Sequence, residues 1–541
     1  MDWFDLIVVG SGPGATFAAY GARGRGILVL DVGHDAPPCA ELTGNAYELR
    51  RGAEDLFPSL IGERFESLRN LWKRPISLKL KSPCMSYIVR DWERVAPVAS
   101  ESFEGAISLA KGGLANGWGA GVFRFTDRDL AGFPLTAAEL RPYYDELTAH
   151  IGVSGANDDL AAYFERDAGL LPPLRLSSFF AELMGRYERL RPLFEREKMA
   201  MGRARLAVLT EPRNGRAAYD YGNLEFFKPH DPAIYTPAYT IDEMIRAGAI
   251  EYRSGHLVTR YRETEEGVEV HSRNLATGAA EVARGRKLLL GAGALNTARI
   301  VLESNSDYQT RLPALDNPMA CIPFFRLQRI GEPLAVHDTS LAQLNLVAED
   351  AEWGEPLQAS LYGTTGPLRS DVVFSLPLSI RANLVWTKYL APAMGLLMLF
   401  YPGRQSSGSY VRLWPTGELE VQFAPEPPHE VERRLIRLLR KMGYVTHAAL
   451  IQRPGSGAGL HYAGTLPMRA NPGLHERPCE KPYERPYETS AEGLLAGTQG
   501  VYIVDGACFP RLPAKNLTFT IMANALRIGR GVAQRMGQRL P

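Results

Sequence analysis

Cysteine is scarce in this chain. There are five in 541 residues, Cys39, Cys84, Cys321, Cys479 and Cys508, and no Cys-x-x-Cys pair. Such scatter points to reduced thiols in a cytoplasmic setting, with neither a disulfide framework nor a thiolate metal centre. An excess of one charge is also missing, since 61 Lys and Arg face 60 Asp and Glu. That balance removes any bulk electrostatic case for nucleic acid or an anionic membrane. Long apolar runs are absent as well. The most apolar one, residues 390–400 (LAPAMGLLMLF), is too short to cross a bilayer of about 30 Å as a helix and reads as a buried strand, with membrane docking as the lesser alternative. No basic leader with a small-residue cleavage site precedes the first strand, so no signal peptide is expected. No internal repeat is visible, and the length suggests two or more domains.

The most informative stretch lies at the start. Residues 5–9 (DLIVV) have the length and composition of a buried parallel strand. They run into Gly10-Ser11-Gly12-Pro13-Gly14-Ala15. Gly10 permits a tight turn, Gly12 lets backbone amides approach a pyrophosphate, and Ala15 lets the following helix pack close to the strand. Pro13 suits the first helical turn, whose free amides and positive dipole end favour phosphate. A second strand, residues 27–30, delivers Asp31, 21 residues after Gly10, where a ribose 2′-hydroxyl is held. An acid there disfavours NADP and leaves NAD and FAD open.

Further along, residues 71–82 carry scattered Arg and Lys, read as a solvated face rather than an acidic-substrate patch. A second glycine-rich stretch spans residues 104–120. Thr136, with Glu139 three residues on, forms a capping signal for a helix reaching about 151. Residues 157–204 read as amphipathic helix and 235–247 as another helix. Strands follow at 250–260, 268–273 and 287–290, the last entering Gly291-Ala292-Gly293-Ala294. From about 307 to 453 strands, prolines and aromatics replace the glycine-turn-helix units, which suggests a mostly antiparallel second domain. A strand at 500–505 and a helix at 518–536 return to the first style, so the first domain is expected to be discontinuous. The Pro/Glu-rich residues 477–488 read as an exposed loop.

Four ordered blocks give the chain a resemblance to the glucose–methanol–choline (GMC) flavoprotein oxidoreductases. GSGPGA with Asp31 resembles that family's FAD pyrophosphate and ribose site. Residues 112–119 (GGLANGWG) resemble its flavin-side glycine segment. Residues 291–298 (GAGALNTA) resemble its second signature, with Ala298 where proline is usual. Residues 501–529 resemble its closing strand, aspartate and flavin-capping helix, with Leu517 in place of the usual proline. The resemblance implies an α/β fold (α+β overall). A discontinuous, Rossmann-like FAD domain would comprise 1–150, 205–305 and 455–541, and a mostly antiparallel substrate domain 151–204 and 306–454. It selects FAD over NAD and assigns it to Gly10, Gly12, Pro13, Gly14, Ala15 and Asp31. Gly112, Gly113, Asn116, Gly117, Trp118, Val258, Asp505, Gly506 and Thr518 would complete the cofactor site. Gly117 stands where some members carry the histidine that links FAD covalently, so non-covalent FAD is expected.

His461, in LHYAGTLPM, resembles the family's His-x-x-Gly-Thr-x-x-Met histidine, and Asn516 matches its second active-site position. The chemistry suits them. Alcohol oxidation removes a hydroxyl proton as hydride leaves the same carbon; a neutral imidazole accepts that proton, and an amide holds the oxygen without competing for it. Lys515 could steady a flavin anion or substrate oxygen, or be a surface lysine. The G-x-S-x-G match at 455–459 lacks the context of a nucleophile elbow and reads as a flexible approach to His461. The implied activity is oxidation of a CH–OH group in a sugar, aminosugar or other small hydroxylated compound, with an acceptor the sequence does not name. The rivals are a cyanohydrin-type lyase, a light-driven fatty acid decarboxylase and a catalytically silent FAD-binding protein. Residues 380–402, rich in aliphatic and aromatic side chains, would suit an apolar alcohol, but core packing is their default reading.

Overall fold

The computed structural model describes residues 3–39, 80–364, 378–424, 429–472 and 487–537, with residues 42, 44, 45, 48, 49, 60, 62–64, 67 and 373. The basic stretch lies outside the described residues up to 79, and the Pro/Glu-rich stretch up to 486.

Eight helices of nine or more residues recur below: α1 (Pro13–Gly21), α2 (Ala137–Leu147), α3 (Ser178–Arg196), α4 (Pro237–Arg246), α5 (Ala294–Ser304), α6 (Ile380–Leu390), α7 (Glu430–Lys441) and α8 (Thr518–Gly537). The N-terminal strand Trp3–Val9 pairs in parallel with Ile27–Leu30 on one side and with Ala280–Leu290 on the other. Glu251–Arg253 extends the sheet beyond Ile27–Leu30. The strand Ala280–Leu290 changes partner along its length. Its first half pairs antiparallel with Val268–Asn274, and its last three residues pair in parallel with Val501–Ile503. Buried Leu6–Val9, Ile27–Leu30 and Leu288–Leu290 have apolar side chains on both faces, as a sheet covered on both sides requires. Helices α1 and α8 cover it together. A Cβ on Gly529 of α8 would stand 2.1 Å from the carbonyl oxygen of Ala18, so the two backbones touch.

A five-stranded antiparallel sheet forms a second core. Its order is Met319–Phe325, Met394–Phe400, Pro356–Gly363, Leu344–Glu349 and Met199–Arg203. Phe179, Phe180, Leu183 and Tyr187 of α3 and Leu435 and Leu439 of α7 belong to the same core. A smaller four-stranded sheet joins Val98–Ala99, Leu419–Gln422, Tyr410–Leu413 and Leu312–Pro313, and its apolar residues belong to the first core. The mixed α/β fold class expected from the sequence is the one found.

Local signals held where they were strong. Thr136 accepts from the Glu139 amide at 3.3 Å while Glu139 accepts from the Thr136 amide at 2.8 Å, a complete capping box. Thr236 caps α4. Three expectations need correction. First, residues 157–204 are not one helical run. A loop closed by paired Asn157–Asp167 hydrogen bonds precedes α3, and Met199–Arg203 is a strand drawn in by Leu344–Ala348. Second, Cys39 and Cys84 form a disulfide, their Cα atoms 5.9 Å apart, within the usual span; a separation of 45 residues carried no signal. Third, only Met394–Phe400 of residues 380–402 is a buried strand, whereas α6 turns its apolar side chains outward.

Candidate functional site

The glycine turn closes on neighbouring backbone. Gly10 has φ +93°, and a Cβ there would lie 2.7 Å from the Gly291 carbonyl oxygen. At Gly12, the N-cap of α1, a Cβ would meet nothing within 4 Å, and no side chain caps the helix. The first-turn amides are therefore open to an anion. Close packing, expected of Ala15 alone, is shared. A Cβ on Gly14 would stand 2.2 Å from the Val504 carbonyl oxygen, and one on Gly291 would stand 2.8 Å from Ala15 Cβ.

Asp31 ends its strand beside this turn. Its Oδ2 accepts from Ser11 Oγ and, at 3.0 Å, from the Tyr252 hydroxyl. Burial pushes the Asp31 carboxyl up to about 6 against the pull of those hydrogen bonds. Ser11 Oγ also accepts from the Gly112 amide at 3.0 Å, so one hydroxyl joins both glycine segments to the acid. Sequence reasoning missed Ser11 and Tyr252. Ser11 was hidden at a variable position of the turn, and Tyr252 arrives on Glu251–Arg253, a strand from far along the chain.

The second glycine segment is locked from behind. Asn116 Nδ2 donates to the carbonyls of Lys111 (2.9 Å) and Gly113 (2.8 Å), and its Oδ1 accepts from Thr236 Oγ1 at 2.6 Å. Trp118 Nε1 donates to the Tyr235 carbonyl at 2.9 Å. At Gly117 a Cβ would stand 2.5 Å from Leu80, so this position admits no side chain without a shift of Leu80.

These elements surround one cavity of about 1120 Å³. That exceeds the roughly 300–1,000 Å³ of drug-sized ligand sites and leaves room for a dinucleotide and a substrate together. Gly10, Gly12, Pro13, Gly14 and Asp31 line it, as do Gly113, Gly117, Trp118, Val258, Asp505, Gly506, Thr518, His461 and Asn516. Ala15, Gly112 and Asn116 do not; they hold the residues that do. Buried Asp505 is itself engaged, accepting from the amides of Ala507 (2.9 Å) and Gly293 (2.8 Å) and from Thr297 Oγ1 (2.6 Å), and burial pushes its carboxyl up to about 6.

His461 follows Leu460, whose φ is +58°, and precedes Tyr462–Ala463, which pairs with Leu315–Asp316. Its ring leans on Phe400, centroids 5.1 Å apart. The approach at 455–459 is pinned rather than flexible. The Gly455 amide donates to Glu104 at 2.8 Å and the Gly457 amide to Asp316 at 2.9 Å. Asn317 links the two predicted catalytic positions. Its amide donates to the His461 carbonyl at 3.1 Å, and its Nδ2 donates to Tyr401 (2.8 Å) and Pro513 (3.0 Å), just ahead of Asn516. Asn516 Oδ1 is buried with no hydrogen-bond partner among the described residues. Lys515 is neither a surface lysine nor part of the site. Its buried ammonium pairs with Asp129 and donates to the Tyr163 carbonyl. Helix α8 starts at Thr518, two residues after Asn516, and directs its positive end at this region.

No family model and no curated protein sequence matches the chain. Among solved structures it is similar to pyridoxine 4-oxidase from Mesorbium loti, with a TM-score of 0.60 over 97% of this chain and 98% of that one, at 14% identity. That likeness is one of fold.

Proposed function

We propose that the protein is an FAD-dependent oxidoreductase acting on a CH–OH group. The observation that carries this reading is the convergence of an uncapped α1 N-terminus, Asp31, His461 and Asn516 on one cavity. The residues suit FAD: open amides at Gly12 and Gly14 for a pyrophosphate, Asp31 for a ribose hydroxyl, and an empty Cβ direction at Gly12. When bound, FAD supplies a two-electron acceptor for the hydride lost from the carbinol carbon. Asn516 holds the substrate oxygen, and His461 takes the hydroxyl proton as the C–H bond breaks. Phe400 restricts the imidazole to one side, and Asn317 keeps both groups in register. Residues 1–150, 205–305 and 455–541 would form the cofactor domain, and 151–204 with 306–454 the substrate domain. Phe400 and Met319, clustered with Ala514, give the cavity an apolar wall near His461, which favours an alcohol with an apolar substituent over a sugar.

The test is an anaerobic spectral titration in the dark with aliphatic and aromatic alcohols, polyols and aminosugars. One class should bleach the flavin, and His461→Ala should slow that bleaching by about 10²–10⁴-fold. Bleaching of equal rate in the variant would remove His461 from the reaction. Cyanohydrin cleavage or light-driven decarboxylation that leaves the flavin oxidised would replace the oxidoreductase reading.

A further inference from the structure

Helix α6 is built inside out. It buries Asn383 and Thr387, 3% and 2% exposed, and turns Ile380, Leu384, Val385, Trp386 and Tyr389 to solvent at 48–59% exposure. A helix resting on a core does the reverse. Single exposed apolar side chains are ordinary, but five on an 11-residue helix form a patch that lone soluble surfaces rarely carry.

The patch continues past the helix. The Gly331 amide donates to the Tyr389 carbonyl at 3.0 Å, which brings the turn bearing exposed Leu327 and Ile330 alongside. The Arg326 amide donates to Ala393 at 2.7 Å, and Phe325 bridges to exposed Val445. Cations border this apolar area. Arg381 and Lys388 stand exposed on α6, which carries no acid, and Lys441 stands exposed at the end of α7, close before Val445. Among the described residues no ion pair engages these three, whereas Arg326 and Arg329 are both taken by Glu182.

We propose that this face docks on an anionic lipid bilayer. Its apolar side chains enter the boundary between headgroups and acyl chains, and Arg381, Lys388 and Lys441 meet the headgroups. Trp386 and Tyr389 suit that depth, each with an apolar ring and a polar tip. At 11 residues α6 lies in the membrane plane and does not cross it. A second copy of the chain fits poorly: a two-fold interface packs this face against itself, and the acid beside it, Glu332, is already paired with Arg329. From α6 the chain runs through Ala391–Ala393 into Met394–Phe400, whose Met398 and Phe400 line the cavity. The docked face and the cavity thus share one continuous stretch.

Flotation of the flavin-loaded protein tests this with vesicles of phosphatidylcholine alone and of phosphatidylcholine mixed with phosphatidylglycerol. The protein should float with the mixed vesicles, about tenfold more weakly with the neutral ones, and less as salt rises. A double variant, Leu384→Ser with Trp386→Ser, should bind about a hundredfold more weakly. A second one, Arg381→Glu with Lys388→Glu, should lose only the preference for anionic vesicles; it decides the matter if the first fails to fold. Failure of the wild type to float with either vesicle at low salt would overturn the proposal. So would sedimentation velocity showing a dimer that the Leu384/Trp386 variant dissolves, since the face would then belong to a second copy.

Discussion

Asp316→Asn is expected to be slightly stabilising in mild acid and more strongly so in mild base. Asp316 is 6% exposed, its Oδ2 accepts from the Gly457 amide at 2.9 Å, and its Oδ1 has no partner among the described residues. Burial without a cation pushes its carboxyl from 3.8 up to about 7. The folded chain therefore holds this proton more tightly than the unfolded one. The stability linked to it is fully present below about pH 4 and is lost as pH climbs to about 7. A rise of about three units sets the loss at about 4 kcal/mol, an upper figure. Asparagine keeps an acceptor for Gly457 and cannot ionise, so it escapes the loss. Near pH 5, about one unit above the unfolded value of 3.8, the variant should already gain about 1–2 kcal/mol. Near pH 8 the variant should exceed the wild type by up to about 4 kcal/mol. Urea midpoints for both proteins at the two pH values read this directly, and infrared titration of the protonated carboxyl band gives the midpoint. A variant no more favourable at pH 8 than at pH 5, or a carboxyl titrating near 4, would refute the reasoning.

Two glycines with opposite surroundings, open at Gly12 and crowded at Gly14, make a second test. Gly12→Ala should leave stability within about 0.5 kcal/mol and weaken flavin retention about tenfold or more, since its methyl enters the cavity. Gly14→Ala presses on the Val504 carbonyl and should cost about 3 kcal/mol, measured by denaturant midpoint; equal behaviour of the two would contradict the packing described. Lys515→Met leaves Asp129 buried without its partner and should cost about 3–5 kcal/mol, with the flavin band position unchanged in protein that folds. A stable Lys515→Met protein with slowed flavin reduction would return Lys515 to the site.

What the sequence made legible was local. The strand, glycine turn and α1 could be read because their hydrogen bonds and close approaches lie within one short stretch, and the Thr136–Glu139 box spans four residues. What it concealed was long-range. Tyr252 reaches Asp31 across 221 residues, Asn116 is turned inward by Thr236, and Lys515 finds Asp129 across 386 residues. The segment 199–203 carries little strand character of its own and becomes a strand because Leu344–Ala348 offers it a ladder. Helix α6 misled for a different reason. Hydrophobicity says that a side chain leaves water, and it does not say whether this protein's own interior receives it.

The strand Val501–Ile503 and helix α8 complete a sheet whose first strand is Trp3–Val9. During synthesis, therefore, the opening strand and α1 emerge long before the elements that cover them. The cavity has no Asp505, Asn516 or α8 until these late residues have left the ribosome. The antiparallel sheet of residues 199–400 is complete earlier and is free to fold first. Loading of the proposed flavin would accordingly come late, and a truncation that removes α8 strips α1 of its cover as well as the cavity of its wall.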